Sequence, residues 1–353
     1  MKTTLKSLAL FAFIATLLAA GSLFAAGIDR LQHSFDQPPD DTRIMARWWW
    51  FGTAVTKPEL EREMKVMKAG GFGGFEVQQT YPLAVDGELP GGVTNNKFLS
   101  PAHLEALRFT AEKAKELGLR MNLTLGSGWP YGGPQISRSE AAGALHELPP
   151  VSVSPAQASV EEPAHSGTDD GEIVAALLGP VPNAPAAGSP YLPLKVSGSA
   201  AMLPSDLRGA TQVTFYTLGL PGLVYVKRAA LGDEGYIVDH YNPAAVEKFI
   251  KEIADPAIKA CGPNPPYSIF CDSLEVAGEN WTPNFLAEFQ KRRGYDLKPM
   301  LPALFGDFGP KTLEIRQDWG QTVTEIFNNY FISAFTKLAH EYKTKFRIQA
   351  YGT

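Results

Sequence analysis

Little sulfur, no basic cluster and, beyond Ile28, no apolar run long enough to cross a membrane: these are the first shortages in this sequence of 353 residues. Each one closes a door. The two cysteines do not read as a disulfide, because Cys261 ends a helical pattern and Cys271 lies at the far end of the strand that follows. A five-residue strand spans about 16 Å, well over the roughly 7 Å that bridged Cα atoms tolerate, so two buried thiols are expected. A net charge of −5 with its 32 lysines and arginines scattered excludes a nucleic-acid surface, which needs them on one face. The glycines of Gly126, Gly128, Gly132 and Gly133 fit neither a Walker loop nor a dinucleotide fingerprint.

What is present is ordinary globular material, 44% hydrophobic and 20% charged, enough for one large or two medium domains. The front of the chain stands apart. Lys2 and Lys6 precede an unbroken apolar core from Leu8 to Ala20, with small residues at Ala20 to Ser22 and again at Ala25 and Ala26. That is the build of a secretory signal peptide over residues 1–26, with a retained anchor as the alternative. The sequence therefore predicts an exported protein, periplasmic or extracellular, with no membrane partner once the signal is cleaved.

Hydrophobic periodicity predicts strands at Ile44–Phe51, Gly74–Gln78 and Leu119–Leu125, separated by helices over Lys57–Ala69 and from Ser100-Pro101 to Leu117. Thr56 is a candidate N-cap, and Gly70-Gly71 and Gly118 are stops. The rhythm returns with strands at Tyr236–Asp239, Tyr267–Cys271 and Phe346–Tyr351 and helices at Pro243–Ala260, Thr282–Arg293 and Lys311–Lys343. Alternation of this kind implies right-handed crossovers and a parallel sheet. The fold class expected is α/β, a (β/α)8 TIM-type barrel with six of its eight strands in this chain. Barrel strands one to three occupy 27–137 and four to six occupy 227–353. Residues 138–226, rich in Pro, Ala, Ser and Gly but carrying apolar runs at Ile173–Leu178 and Gln212–Leu218, read as an inserted β-rich subdomain.

In such barrels the chemistry sits at the carboxyl ends of the strands, and here each strand ends in polar or aromatic residues. The most informative is Tyr267 to Trp281, where an apolar strand opens into Asp272, Glu275 and Glu279. Charges cannot be buried unpaired, so these emerge from the sheet. Paired carboxylates with aromatic platforms are the equipment of glycoside hydrolysis. Glu275 is the candidate general acid, held protonated by burial or by the fields of Asp272 and Glu279. Asp272 is a ligand-binding, metal-binding or supporting carboxylate, and Glu279 either binds sugar or serves the start of the next helix. Glu76 suits sugar hydroxyls or a metal, against the alternative of a barrel-interior charge paired to Arg47 or Arg120. Asp239 and His240 are candidate ligand contacts. Trp129 and Trp281 are candidate stacking platforms, whereas one or two of Trp48, Trp49 and Trp50 must be core because strand side chains alternate.

Arg47-Trp-Trp-Trp-Phe-Gly52, Gly70-Gly-Phe-Gly-Gly-Phe-Glu76, Leu125-Gly-Ser-Gly-Trp-Pro-Tyr-Gly-Gly-Pro134, Asp239-His240 and Asp272-Ser-Leu-Glu-Val-Ala-Gly-Glu-Asn-Trp281 together resemble glycoside hydrolase family 106, the α-L-rhamnosidases. The resemblance runs from about residue 38 to the end. It implies inverting, calcium-assisted hydrolysis of terminal α-L-rhamnosides in a catalytic barrel, with Glu275 as the acid and a carbohydrate as the substrate. It also implies a general base and part of the calcium shell beyond Thr353, so that the chain by itself is expected to be inactive. The alternatives are a barrel glycosidase for another sugar, such as a galactoside or glucuronide, and a non-catalytic carbohydrate-binding barrel.

Overall fold

A computed structural model describes residues 27–38, 40–82, 93–164, 171–181 and 189–349. The signal segment, residues 1–26, and residues 350–353, which include the last two of the final predicted strand, lie outside the described residues.

Strand β1 (Met45–Phe51) leads through helix α1 (Lys57–Ala69) to β2 (Gly74–Thr80), and helix α2 (Pro101–Glu116) leads to β3 (Arg120–Ser127). The helix starts follow the sequence signals. Thr56 occupies the N-cap in extended conformation without a side-chain bond, and the Ser100 hydroxyl accepts from the His103 N–H ahead of Pro101. These three strands are joined edge to edge by β14 (Ser268–Cys271) and β15 (Lys345–Ile348) into one parallel sheet whose spatial order is the order of the chain. Sequential strand order is that of a barrel wall and not of a doubly wound sheet, whose order reverses. Among the described residues the sheet does not close.

The predicted strand at Tyr236–Asp239 is the correction. Only Tyr236–Ile237 (β13) is extended, and it pairs antiparallel with Gly132–Gly133 (β4) away from the parallel sheet. The physical reason is that β14 pairs directly with β3, Ser268 opposite Asn122, so no slot is left between them.

The alternation of β1 decides the two faces. Trp48 and Trp50 turn under the helices, Trp48 edge-on to Trp50 and Phe75, while Arg47, Trp49 and Phe51 stay on the open face. Helix α3 (Pro243–Phe249) continues through one π turn (Ile250–Ala254) into α4 (Asp255–Ala260) and packs behind β3. Cys261 and Cys271 are free and buried, as expected.

Residues 144–219 form antiparallel sheets. One, of β7 (Ser159–Glu161), β10 (Lys195–Ser197) and β11 (Ala200–Met202), has the order β10-β11-β7; in the other, β5 (Ala144–Glu147), β8 (Glu172–Leu178), β9 (Leu192–Pro193) and β12 (Gln212–Gly219) run in the order β5-β12-β8-β9, with β6 (Val151–Ser152) also paired to β12. One face of this sheet buries Phe215, Val213 and Leu178. The other packs Leu177 and Tyr216 into an apolar seam with Phe285 and Phe289 of α5 (Phe285–Arg293) and Ile326 of a later helix, α6 (Thr312–Phe327).

Candidate active site

At the carboxyl ends of β1, β3 and β14 the open face gathers aromatic and charged side chains. The turn after β3 is anchored from below. Tyr131 is buried against Phe249, its ring stacked at 4.8 Å, and its hydroxyl donates to the Phe270 carbonyl at 2.5 Å. Burial of Tyr131 fixes Trp129, two residues earlier, at the mouth. There the Trp129 ring lies 6.2 Å from that of Trp49, which is 37% exposed. The two indoles make an aromatic wall of the sort that packs on the apolar face of a sugar.

Glu275 stands beside this wall with its side chain one-third exposed. Lys227 Nζ donates to one carboxylate oxygen at 2.5 Å and the Ser273 hydroxyl to the other at 2.8 Å. The Trp129 indole N–H favours the charged form as well, without a closed hydrogen bond. The hydrogen bond from Lys227, more than any other contact, holds this carboxyl below the usual glutamate range. The expected field of Asp272 and Glu279 is therefore not what governs it.

Asp272 is buried and accepts from Arg47 and from the Ser273 N–H. The Arg47 guanidinium lies 4.7 Å over the Trp49 ring and also donates to Gln78 at 3.0 Å, so it ties the acid end of β14 to the aromatic wall. Glu76 sits deeper on the same face. Its carboxylate accepts from Arg347 and stands 3.7 Å from Arg47, while Arg120 turns instead to the carbonyls of Asp41 and Arg43. A cavity of about 530 Å³ opens on this face around Arg47, Glu76, Asn122 and Arg347, toward the amino ends of the strands. There Arg47 and Arg347 share Glu76 and Lys345 donates to the Tyr267 hydroxyl, whereas solvent-facing aromatic and titratable groups converge at the opposite end, so the site is placed at that end.

Four residues singled out in the sequence do not join this site. Asp239, His240 and Trp281 are each 1% exposed. Asp239 accepts from Thr282 Oγ1 at 2.7 Å, and burial, reinforced by Glu279, raises its carboxyl well above the usual range. Glu279 accepts from both the His240 N–H and its ring Nδ1, the latter at 2.8 Å. Asp239 borders a second cavity of about 430 Å³, shared with Glu172, Leu218 and Pro283 and not with Glu275. Trp281 lies with its ring 4.2 Å from that of Phe285, tilted at 31°, in the apolar seam and cannot serve as a platform. It is covered because the antiparallel sheet packs on it, a contact invisible in local sequence.

Sequence reasoning missed Trp49, Arg47 and Lys227 as members of the site. Period-two alternation through Trp48-Trp49-Trp50 was the available signal for Trp49; Lys227 had none. The resemblance implies a bound calcium ion. Calcium takes six to eight oxygens, yet among the described residues no three acidic, histidine or cysteine side chains converge on a point that could hold a metal. Asp272 and Glu76 are moreover taken up by guanidiniums. No calcium ligand is assigned among the described residues.

A family model described as alpha-L-rhamnosidase matches residues 36–146 and 224–352. The gap between the two matched parts takes in most of the antiparallel sheets. A protein of Formosa agariphila named "Putative beta-glucuronidase" is 23% identical over 379 aligned positions, covering 96% of this chain and 32% of that protein. The solved structure of a rhamnosidase from Novosphingobium sp. PP1Y superimposes with a TM-score of 0.68 at 17% identity, over 91% of this chain and 47% of the other. This chain thus spans about a third of the length of the one relative and about half of the other.

Proposed function

This chain belongs to the alpha-L-rhamnosidase family of glycoside hydrolases, and from that premise we propose that the protein hydrolyses terminal α-L-rhamnosides with inversion, Glu275 acting as general acid. The observation that carries the reading is the placement of a solvent-facing carboxylate, Glu275, beside the Trp129 and Trp49 rings at the carboxyl ends of parallel strands. In the step proposed, the Glu275 carboxylic acid gives its proton to the glycosidic oxygen as the bond from that oxygen to the anomeric carbon breaks. Water adds to the anomeric carbon from the opposite face and loses its proton to a second carboxylate. Glu76 and Asp272 are each paired with arginine, and the base is assigned to neither.

Export is part of the proposal. It is supported by the charged start and apolar core of residues 1–26, and among the described residues no helix is long and apolar enough to cross a membrane. A second reading, a sugar bearing a carboxylate, is favoured by Lys227 and Arg47 on the same wall and by the name of the Formosa relative.

The test offers 4-nitrophenyl α-L-rhamnoside and 4-nitrophenyl β-D-glucuronide to the protein extended to the end of its natural reading frame and to its Glu275→Gln variant. Release of 4-nitrophenol from the rhamnoside, about 100-fold or more slower in the variant, is expected, with the β-anomer of rhamnose formed first. Turnover of the glucuronide alone moves the assignment to the second reading, and equal rates in the variant remove Glu275 from the chemistry.

A further inference from the structure

A general acid must carry a proton when the leaving oxygen arrives, yet Glu275 faces an ammonium. Lys227 Nζ and Ser273 Oγ occupy one carboxylate oxygen each, at 2.5 and 2.8 Å. The lysine is not there by the accident of a long side chain. Its backbone is paired in both directions with Trp129, the Trp129 N–H donating to the Lys227 carbonyl at 3.0 Å and the Lys227 N–H to the Trp129 carbonyl at 2.8 Å. Gly128 makes this approach possible, since a Cβ there would lie 2.0 Å from the Lys227 carbonyl oxygen.

The neighbouring residues are fastened just as firmly. The Arg228 carbonyl accepts from the Tyr81 N–H and the Thr80 hydroxyl, both at 3.0 Å, and Arg228 itself holds φ at +62°. Further along, the Ala230 N–H donates to Ser127 Oγ, which in turn donates to the buried Asp233 carboxylate at 2.7 Å. The segment 227–233 is thus laid across the carboxyl ends of β2 and β3 by bonds from both strands. That arrangement delivers one ammonium to one carboxylate.

Resting on Glu275 as the acid, we propose that Lys227 is a positioning residue. It holds the Glu275 carboxylate between itself and Ser273 in the sugar-free protein and yields its place to the leaving oxygen of a bound glycoside. A proton from solvent then converts the released carboxylate to the acid that is spent on that oxygen. The exchange is physically easy on the lysine side. Both side chains of the pair are about one-third exposed, and an ion pair that open to water is weakly held, while the backbone pairing with Trp129 keeps the lysine stem in place throughout.

Glutamate labelled with ¹³C at the side-chain carboxyl reports the Glu275 titration directly and needs no sugar; its signal is assigned by its loss in Glu275→Gln. The midpoint is expected below that of ordinary glutamates, to rise towards theirs in Lys227→Met, and to return in Lys227→Arg. An unchanged midpoint in a folded Lys227→Met overturns the proposal. Should that variant not fold, the wild type in 0.05 M and 1 M NaCl decides: screening of an exposed pair raises the midpoint, and a midpoint indifferent to salt overturns it. With a turned-over glycoside, the alkaline limb of kcat/KM against pH is expected to move up in Lys227→Met along with the carboxyl midpoint, and a stationary limb removes the release step. A protein that passes the titration but hydrolyses no rhamnoside leaves the Lys227 contact standing and the proposed function refuted.

Discussion

The rings of Trp49 and Trp129 meet at 6.2 Å and 60° across the ends of two strands that are not neighbours in the sheet, β2 lying between them. The adjacent tryptophans of β1 have the opposite fate, turned down into the core. Trp50→Ala therefore opens a cavity and is expected to cost about 3–5 kcal/mol. Trp49→Ala removes a half-open ring and is expected to cost under about 1 kcal/mol while weakening sugar binding. Chemical denaturation of the two variants side by side checks the contrast, and equal losses would place Trp49 in the core.

Gly128 has φ of +63° and no space for a Cβ under the Lys227 carbonyl. Gly128→Ala is expected to break the pairing between Trp129 and Lys227 and to destabilise by about 1–3 kcal/mol from the backbone strain alone. The checking measurement is hydrogen exchange at the Trp129 and Lys227 amides, which should lose protection together.

Burial pushes the Asp233 carboxyl up to about 8 against the pull of its bonds from Ser127. A carboxyl raised in the folded state favours the protonated form, so its contribution is intact below the unfolded value and is lost as pH climbs through the folded one. Wild-type stability is thus expected to fall between about pH 4 and pH 8, each tenfold difference in proton affinity being worth about 1.4 kcal/mol. Asp233→Asn abolishes that slope. Thermal melts of the two proteins across this range give the answer, and parallel curves would refute it.

Since no set of three donors converges among the described residues, a millimolar calcium addition followed by chelator is expected to leave the melting temperature of the 353-residue chain unchanged. A rise that chelator reverses would show a site assembled elsewhere in the chain.

Much of the wall was legible because short-range physics writes it. Proline after Thr56 and after Ser100 started helices where they stand, and the apolar runs of β2, β3 and β14 became strands buried within one parallel sheet. The failures share a cause. Tyr236–Asp239 has the composition of a strand, but whether it enters the sheet depends on β14 reaching β3 first. Trp281 and His240 have the composition of ligand contacts, but packing from distant segments covers them.

By itself the sequence determined the alternating strands and helices, the two unpaired thiols, the opposite facing of adjacent tryptophans and the emergence of Glu275 from the end of a strand. These follow from periodicity, spacing and the cost of burying a lone charge. Tertiary structure alone decided the partners. Arg47 and Asp272 are 225 residues apart, and Lys227 reaches Glu275 because its backbone pairs with Trp129. Coulombic and hydrogen-bond energies depend on separation in space, and separation along the chain carries no trace of it.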